Sequence, residues 1–262
     1  MSKDFLILRA YAGPNDNFSV TYPSGEDKGD FIFNFRFNVG SPNFKKVGLR
    51  YCMIPYIWYN IQSTKNNHFR AYSAATSLWY DIYVTEKQYN NFDDLISEIH
   101  TQLEAAEAGL STNITFAFHE DLLKVSLNLA ASYRVNFNVY DSIYNVLGFN
   151  KQIYNGVNLF YSERNSDLND GIYNIYVYSD LIKPCLINTN STNLLSLVPI
   201  TNSSRIFYFG DIIYYECRQD EILKRDIISQ EITSIRITLT NIYGEILPSN
   251  RSAIFILEFF DE

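Results

Sequence analysis

Cysteine is scarce in this sequence: Cys52, Cys185 and Cys217 are the only three in 262 residues, and they lie far apart. An odd, dispersed set does not make a disulfide framework and reads as reduced, buried thiols of a protein made inside a cell. Histidine is equally sparse. His68 follows Asn66-Asn67, His100 falls on a helical stretch near Glu98 and Thr101, and His119 precedes Glu120-Asp121, so no two have metal-ligand spacing. No histidine stands beside Cys52 or Cys217 in sequence to activate a thiolate. The adjacent carboxylates Asp93-Asp94, Glu120-Asp121 and Asp220-Glu221 fall at the ends of expected elements, where acids are solvated. A glycine-rich phosphate loop, a G-x-S-x-G elbow and a GK[ST] sequence are all missing. The expectation is a protein that is not an enzyme and holds no cofactor or metal.

Cations are in deficit. Lys and Arg total 21 against 29 Asp and Glu, a formal net charge of −8. Such a surface is a poor match for a phosphate backbone, so direct nucleic-acid binding is not expected. No apolar run approaches the length of a membrane span, and Met1-Ser-Lys-Asp followed by only Phe5–Leu8 before Arg9 lacks the pattern of a secretory signal. The Asn-x-Ser/Thr matches at Asn17, Asn113, Asn190, Asn202 and Asn250 are therefore read as unglycosylated.

Aromatic residues are abundant, with 21 Tyr and 19 Phe, and aromatics make up 16% of the chain. Flat rings pack well on pleated surfaces, so a β-rich fold is the first expectation. Its length suffices for a sizeable core without covalent staples.

Period-2 patterns carry most of the chain. In Phe31 to Phe37 four Phe residues alternate with Ile32, Asn34 and Arg36, predicting a strand that buries all four rings. Gly13-Pro14-Asn15, Pro23-Ser24-Gly25 and Gly40-Ser41-Pro42-Asn43 punctuate the short extended pieces around it. From Val47 the apolar set Val47, Leu49, Tyr51 and Met53 alternates with Gly48, Arg50 and Cys52 until Pro55, which has no N–H for a sheet ladder. Beyond about residue 161 the segments Ile172–Tyr178, Leu194–Ile200, Ile206–Cys217, Ile232–Thr240 and Ala253–Phe260 again read as strands between polar loops.

Between them the pattern changes. Phe69–Tyr72 and Leu78–Val84 read as a hairpin. Asn91 can cap a helix whose stripe is Phe92, Leu95, Ile96, Ile99 and Leu103, with Asp93 and Asp94 in the first turn and Gly109 as a left-handed stop. Ile114–His119, Leu122–Leu129 and Val135–Tyr140 are expected to form the sheet beneath it, and a second short helix to run from Asp141 as cap to Gly148. The fold expected is mainly β: a jelly-roll antiparallel β-sandwich in two parts, 1–61 and 161–262, interrupted by an α+β insertion over 62–160.

After Pro55 the chain turns through an aromatic corner, Tyr56-Ile57-Trp58-Tyr59. Tyr56, Trp58 and Tyr59 either bury between the two halves of the chain or serve a subunit interface, where such side chains are favoured.

The strand and corner Leu49–Asn60 with Asn66-Asn67, the tyrosine-led helix Tyr89–Leu103, Leu147-Gly148-Phe149, Ile175–Leu181, Ile232–Leu239, Tyr243-Gly244-Glu245 and Ile254–Phe259 carry a resemblance. Together they resemble the penton (minor capsid, vertex) proteins of virophages and Polinton-like viruses. Gln88 stands where that pattern has glycine before the helix, and Asn241 where it has an acid. The resemblance implies a single jelly roll with an inserted domain, a structural subunit forming homopentamers at capsid vertices. It also implies a major capsid protein of double jelly-roll type as partner and the virion as location, after synthesis in an infected cell's cytoplasm. A fold alone does not specify a role, so a glycan- or receptor-binding jelly-roll module, such as a spike or fibre head, is the alternative.

Overall fold

The first strand of the chain pairs with the last, and that nesting organises the larger of two units. In a computed structural model, residues 4–12, 16–41, 43–63, 65–170, 172–187, 190–200 and 210–261 are described. The Gly13-Pro14-Asn15 turn, Pro42, and residues 206–209 of the expected Ile206–Cys217 strand lie outside them. In chain order the elements are β1 (Asp4–Arg9), β2 (Phe18–Thr21), β3 (Asp30–Phe35), β4 (Lys46–Pro55), β5 (His68–Ser73), β6 (Leu78–Tyr83), α1 (Phe92–Ala106), α2 (Leu110–Asn113), β7 (Ile114–His119), β8 (Lys124–Leu129) and β9 (Arg134–Asn136). They continue with α3 (Tyr144–Leu147), β10 (Ile153–Asn155), β11 (Leu159–Tyr161), β12 (Asn174–Ser179), β13 (Cys185–Ile187), β14 (Asn190–Thr192), β15 (Leu194–Pro199), β16 (Ile212–Glu216), β17 (Arg225–Asp226), β18 (Ser234–Thr240) and β19 (Ile254–Phe260).

One unit comprises residues 1–58 and 172–262, the other 59–171. In the first, β1 pairs with β19, β3 with β18, β4 with β16 and β12 with β15, all antiparallel. Each pair encloses the next, so the chain is one long hairpin of strands. Two further pairings, β4 with β19 and β12 with β18, roll that hairpin into two sheets ordered β1-β19-β4-β16 and β15-β12-β18-β3-β2. This is a jelly roll. Its core lies between the sheets, and period 2 decides what enters it: Ile235, Ile237 and Leu239 of β18 and Phe255, Leu257 and Phe259 of β19 are buried. Each fully buried side chain of this size contributes about 1.5–3 kcal/mol.

Two strands depart from the simple alternation. In β4 the register slips between Ile256, which faces Tyr51, and Leu257, which faces Leu49, leaving Arg50 as an extra residue. A bulge of one residue reverses the facing of everything beyond it. The buried set is therefore Val47, Leu49, Cys52 and Ile54, while Tyr51 and Met53 are only half-buried. Arg50 stays engaged: its carbonyl accepts from the Cys217 N–H at 2.9 Å and its guanidinium donates to the Cys217 carbonyl. In β3 the ladder stops at Phe35, and Phe37 is exposed. There Asn38 takes over, its Oδ1 accepting from the N–H groups of Ile232 (2.7 Å) and Gly40 (2.9 Å), which pulls Phe37 off the sheet.

The second unit has two sheets, ordered β10-β9-β5-β6 and β11-β8-β7. The stretch after β8, expected to join β7 and β8, instead pairs with β5 and β10 through β9. Phe69 of β5 and Phe116 of β7 meet edge-on at 5.9 Å between the two sheets, and Phe137, Phe149 and Tyr154 extend the ring cluster. Leu95, Ile96, Ile99 and Leu103 of α1 are buried in this core. Asn91 caps α1, accepting the Asp94 N–H at 2.7 Å. The helix ends at Ala106, so Gly109, left-handed at φ 83, opens the short α2 instead of closing α1. The second helix expected from the sequence is α3, which begins at Tyr144 with Ile143 as cap, not Asp141, which is itself left-handed. It ends at Gly148 with φ 80, where a Cβ would lie 2.4 Å from the Arg164 carbonyl oxygen; only glycine fits.

The units divide at 58/59 and 171/172, three residues before the expected 61/62 and eleven after the expected 160/161. Asn60 is tied inward, exchanging hydrogen bonds with the backbone of Tyr89 at 2.8 and 2.9 Å. At the other end β11 pairs with β8, and the Ser166 N–H donates to the Leu123 carbonyl at 2.8 Å. Both ends thus fold with the insertion.

Candidate assembly surface

A rolled-up hairpin leaves sheet edges at its two flanks among the described residues, and each presents some apolar surface. On one flank β1 and β2 lie at the edges of their sheets, joined where the Tyr22 hydroxyl donates to the Ala10 carbonyl. In β1 Leu6 and Leu8 turn to the core while Phe5 (51% exposed) and Ile7 (48%) turn out. On the other flank the edges are β15 and β16, joined by the Ser196 and Tyr215 hydroxyls at 3.5 Å. Tyr214 (63%) and Leu197 (44%) are exposed there. The two flanks differ in sequence. Unpaired edges with apolar residues invite pairing with another chain unless charge or proline blocks them.

The aromatic corner divides. Tyr56 and Trp58 are buried among the jelly-roll core residues, their rings meeting edge-on at 4.4 Å. Tyr59 alone keeps exposed surface. The flank residues were not singled out by sequence reading; alternation marks Phe5 and Ile7 as outward but does not say that β1 is an edge.

The histidines serve structure. His68 stacks on Tyr83 at 4.4 Å and bonds Asp81 at 2.9 Å. His119 Nε2 lies 2.9 Å from the Ser126 hydroxyl. His100 Nε2 accepts the Phe116 N–H at 3.0 Å, and burial lowers its pKa, keeping it neutral as an acceptor. Among the described residues no three His, Cys, Asp or Glu side chains gather as a metal ion requires, and no helix is long and apolar enough to cross a membrane.

The jelly roll's main charged contact is internal. Asp30 is fully buried and receives the Arg236 fork, Nε to Oδ1 and Nη2 to Oδ2, both at 2.8 Å. Burial would raise this carboxyl, but hydrogen bonds from Arg236, Ser24 and Thr238 outweigh it and hold the pKa below the usual aspartate value. The pair fixes β3 against β18.

No protein-family model and no curated protein matches the chain. Among solved structures, the crystal structure of selenomethionine-labelled mavirus penton protein matches with a TM-score of 0.52, and the match covers 98% of each chain at 11% identity. The fold is that of a penton protein. The penton fold extends over both units, the insertion included, because the match leaves almost nothing of either chain outside it.

Proposed function

We propose that this chain is a structural, non-enzymatic capsid subunit, the penton of an icosahedral virus capsid, assembling as a homopentamer at the vertices. The observation that carries the reading is the end-to-end match to a penton protein, jelly roll and insertion together. Two features of this chain support it. The flanks of the sandwich are unlike each other, and head-to-tail contact between unlike surfaces gives rings when the rotation closes. Each flank exposes apolar side chains, Phe5 and Ile7 on one and Tyr214 and Leu197 on the other. Tyr59 adds to the contact surface from the aromatic corner. The remaining partner is a double jelly-roll major capsid protein surrounding the vertex, and the location is the virion.

A particle reconstruction tests this. The expected result is density for the chain at the five-fold positions; density confined to quasi-six-fold faces, or glycan binding by a chain absent from particles, overturns the reading in favour of a binding module.

A further inference from the structure

The four-stranded sheet of the insertion turns one face to the core and the other to solvent. Phe69, Ala71, Ile82 and Val135 are buried in the core. Period 2 therefore sends Arg70 and Tyr72 of β5, Trp79 and Asp81 of β6, and Arg134 and Asn136 of β9 to the opposite face. Strand register sets them in two rows, Arg134-Tyr72-Trp79 and Asn136-Arg70-Asp81. The face is open: the side chains of Arg70 and Asp81 are 38% and 46% exposed, and Arg134 is exposed.

The rings and cations hold one another in place. Tyr72 and Trp79 lie 5.3 Å apart, the Arg134 guanidinium sits 5.0 Å over the Tyr72 ring, and the Arg70 guanidinium 5.7 Å over the Trp79 ring. A guanidinium already stacked on a ring gives up less freedom when an anion binds it. Asp81 is shared between Arg70 at 3.1 Å and His68 at 2.9 Å. Among the described residues no carboxylate lies within ion-pairing distance of Arg134, whose contact is the Tyr72 ring.

The face thus carries one cation in surplus. A phosphate backbone is bound by several cations along a track, whereas a ligand with a single carboxylate matches one arginine. Flat rings beside that arginine suit the apolar C–H face of a pyranose, and the neighbouring Asn136 and Asp81 can hydrogen-bond its hydroxyls. We propose that this face binds an acidic sugar, a pyranose bearing one carboxylate, with Arg134 donating to the carboxylate and Tyr72 and Trp79 packing against the sugar ring. The inference rests on the insertion alone and stands whether or not the chain is a penton.

The test is an NMR titration of the whole protein with methyl β-glucuronide and with the methyl α-glycoside of N-acetylneuraminic acid. The chain has two tryptophans, Trp79 on this face and Trp58 buried in the jelly roll, so the Trp58 indole N–H is an internal control. At least one acidic sugar should shift the Trp79 indole N–H and saturate with a Kd on the order of 1 mM, leaving Trp58 unmoved. Methyl β-glucoside, which lacks the carboxylate, should bind at least about tenfold more weakly than the glucuronide, and Arg134→Gln should weaken the acidic sugar by about the same factor. Arg134 is exposed, so its replacement leaves the core intact. Four results each overturn the proposal: no shift of Trp79 with either acidic sugar, equal binding of the glucoside, undiminished affinity in Arg134→Gln, or tighter binding of octathymidylate than of either sugar, which would make the face a nucleic-acid platform.

Discussion

The jelly roll and the insertion are both β-rich, but they close in opposite ways. In the jelly roll, pairing reaches from one end of the chain to the other, Asp4 opposite Phe259 and Phe31 opposite Ile237, so no continuous segment contains its core. The insertion is continuous from 59 to 171 and built mostly from neighbours: β5 with β6, β7 with β8, and a helix between them. Non-local pairing costs loop-closure entropy before it is rewarded. The unit that is local in sequence is therefore expected to form first and to stand alone, leaving the ends of the jelly roll to meet around it.

The largest expected effect separates the two units. Leu95→Asp or Ile99→Asp puts a charge where α1 is fully buried, forfeiting about 1.5–3 kcal/mol of burial and adding a desolvation cost. Calorimetry should show the insertion's transition lost or moved down while the jelly roll's persists. Equal loss of both, or a melt like the parent's, would mean the units are not separable in this way.

A smaller effect acts on the other unit. Arg236→Met leaves Asp30 buried without its fork and should cost about 2 kcal/mol, a low figure for a charged pair because the arginine is 44% exposed. The sign with pH follows from the depressed carboxyl. Its stabilisation is present above the ordinary aspartate value of 3.8 and is lost as pH falls through the lower folded value, so the variant should flatten the acid limb of stability against pH. An unchanged acid limb would show that the fork is not what holds β3 to β18.

The smallest effect belongs to His100. Its folded pKa lies below the ordinary 6.5, so the stabilisation of its neutral form is complete above that value and declines as pH falls through the folded one. Once protonated, Nε2 cannot accept the Phe116 N–H. His100→Gln keeps an acceptor that does not titrate, and it should remove this part of the insertion's pH dependence between neutral and mildly acid conditions. Urea titrations at a series of pH values check it; the same slope in both proteins would contradict the assigned bond.

Much of this comparison was legible in the residues. The stripe of α1 and its Asn91 cap, and the inward sets of β18 and β19, follow from periodicity because each is a local property. What escaped depends on partners far away in sequence. The bulge at Arg50 arises from how β4 meets β19, and it exchanged Tyr51 and Met53 for Cys52 and Ile54 in the core. β9 pairs with β5, more than sixty positions earlier, where sequence order suggested β8. Phe37 has the spacing of a core ring but leaves the sheet because Asn38 competes for its ladder. At the candidate assembly surface the aromatic corner drew attention by composition, yet composition cannot distinguish a buried Trp58 from an exposed one. The flanks went unnoticed because an edge strand is defined by the neighbour it lacks.

Head-to-tail contact between unlike flanks makes a sharp prediction for a mixture of two variants followed by native mass measurement. At concentrations where the parent chain forms rings, Ile7→Asp and Tyr214→Asp should each be monomeric, one flank being spoiled in each. Mixed in equal amounts they retain one intact pair of flanks between them, so the mixture should form a one-to-one dimer and stop there. The contrary result is a parent chain that settles as a two-fold dimer, or a mixture that behaves no differently from its components.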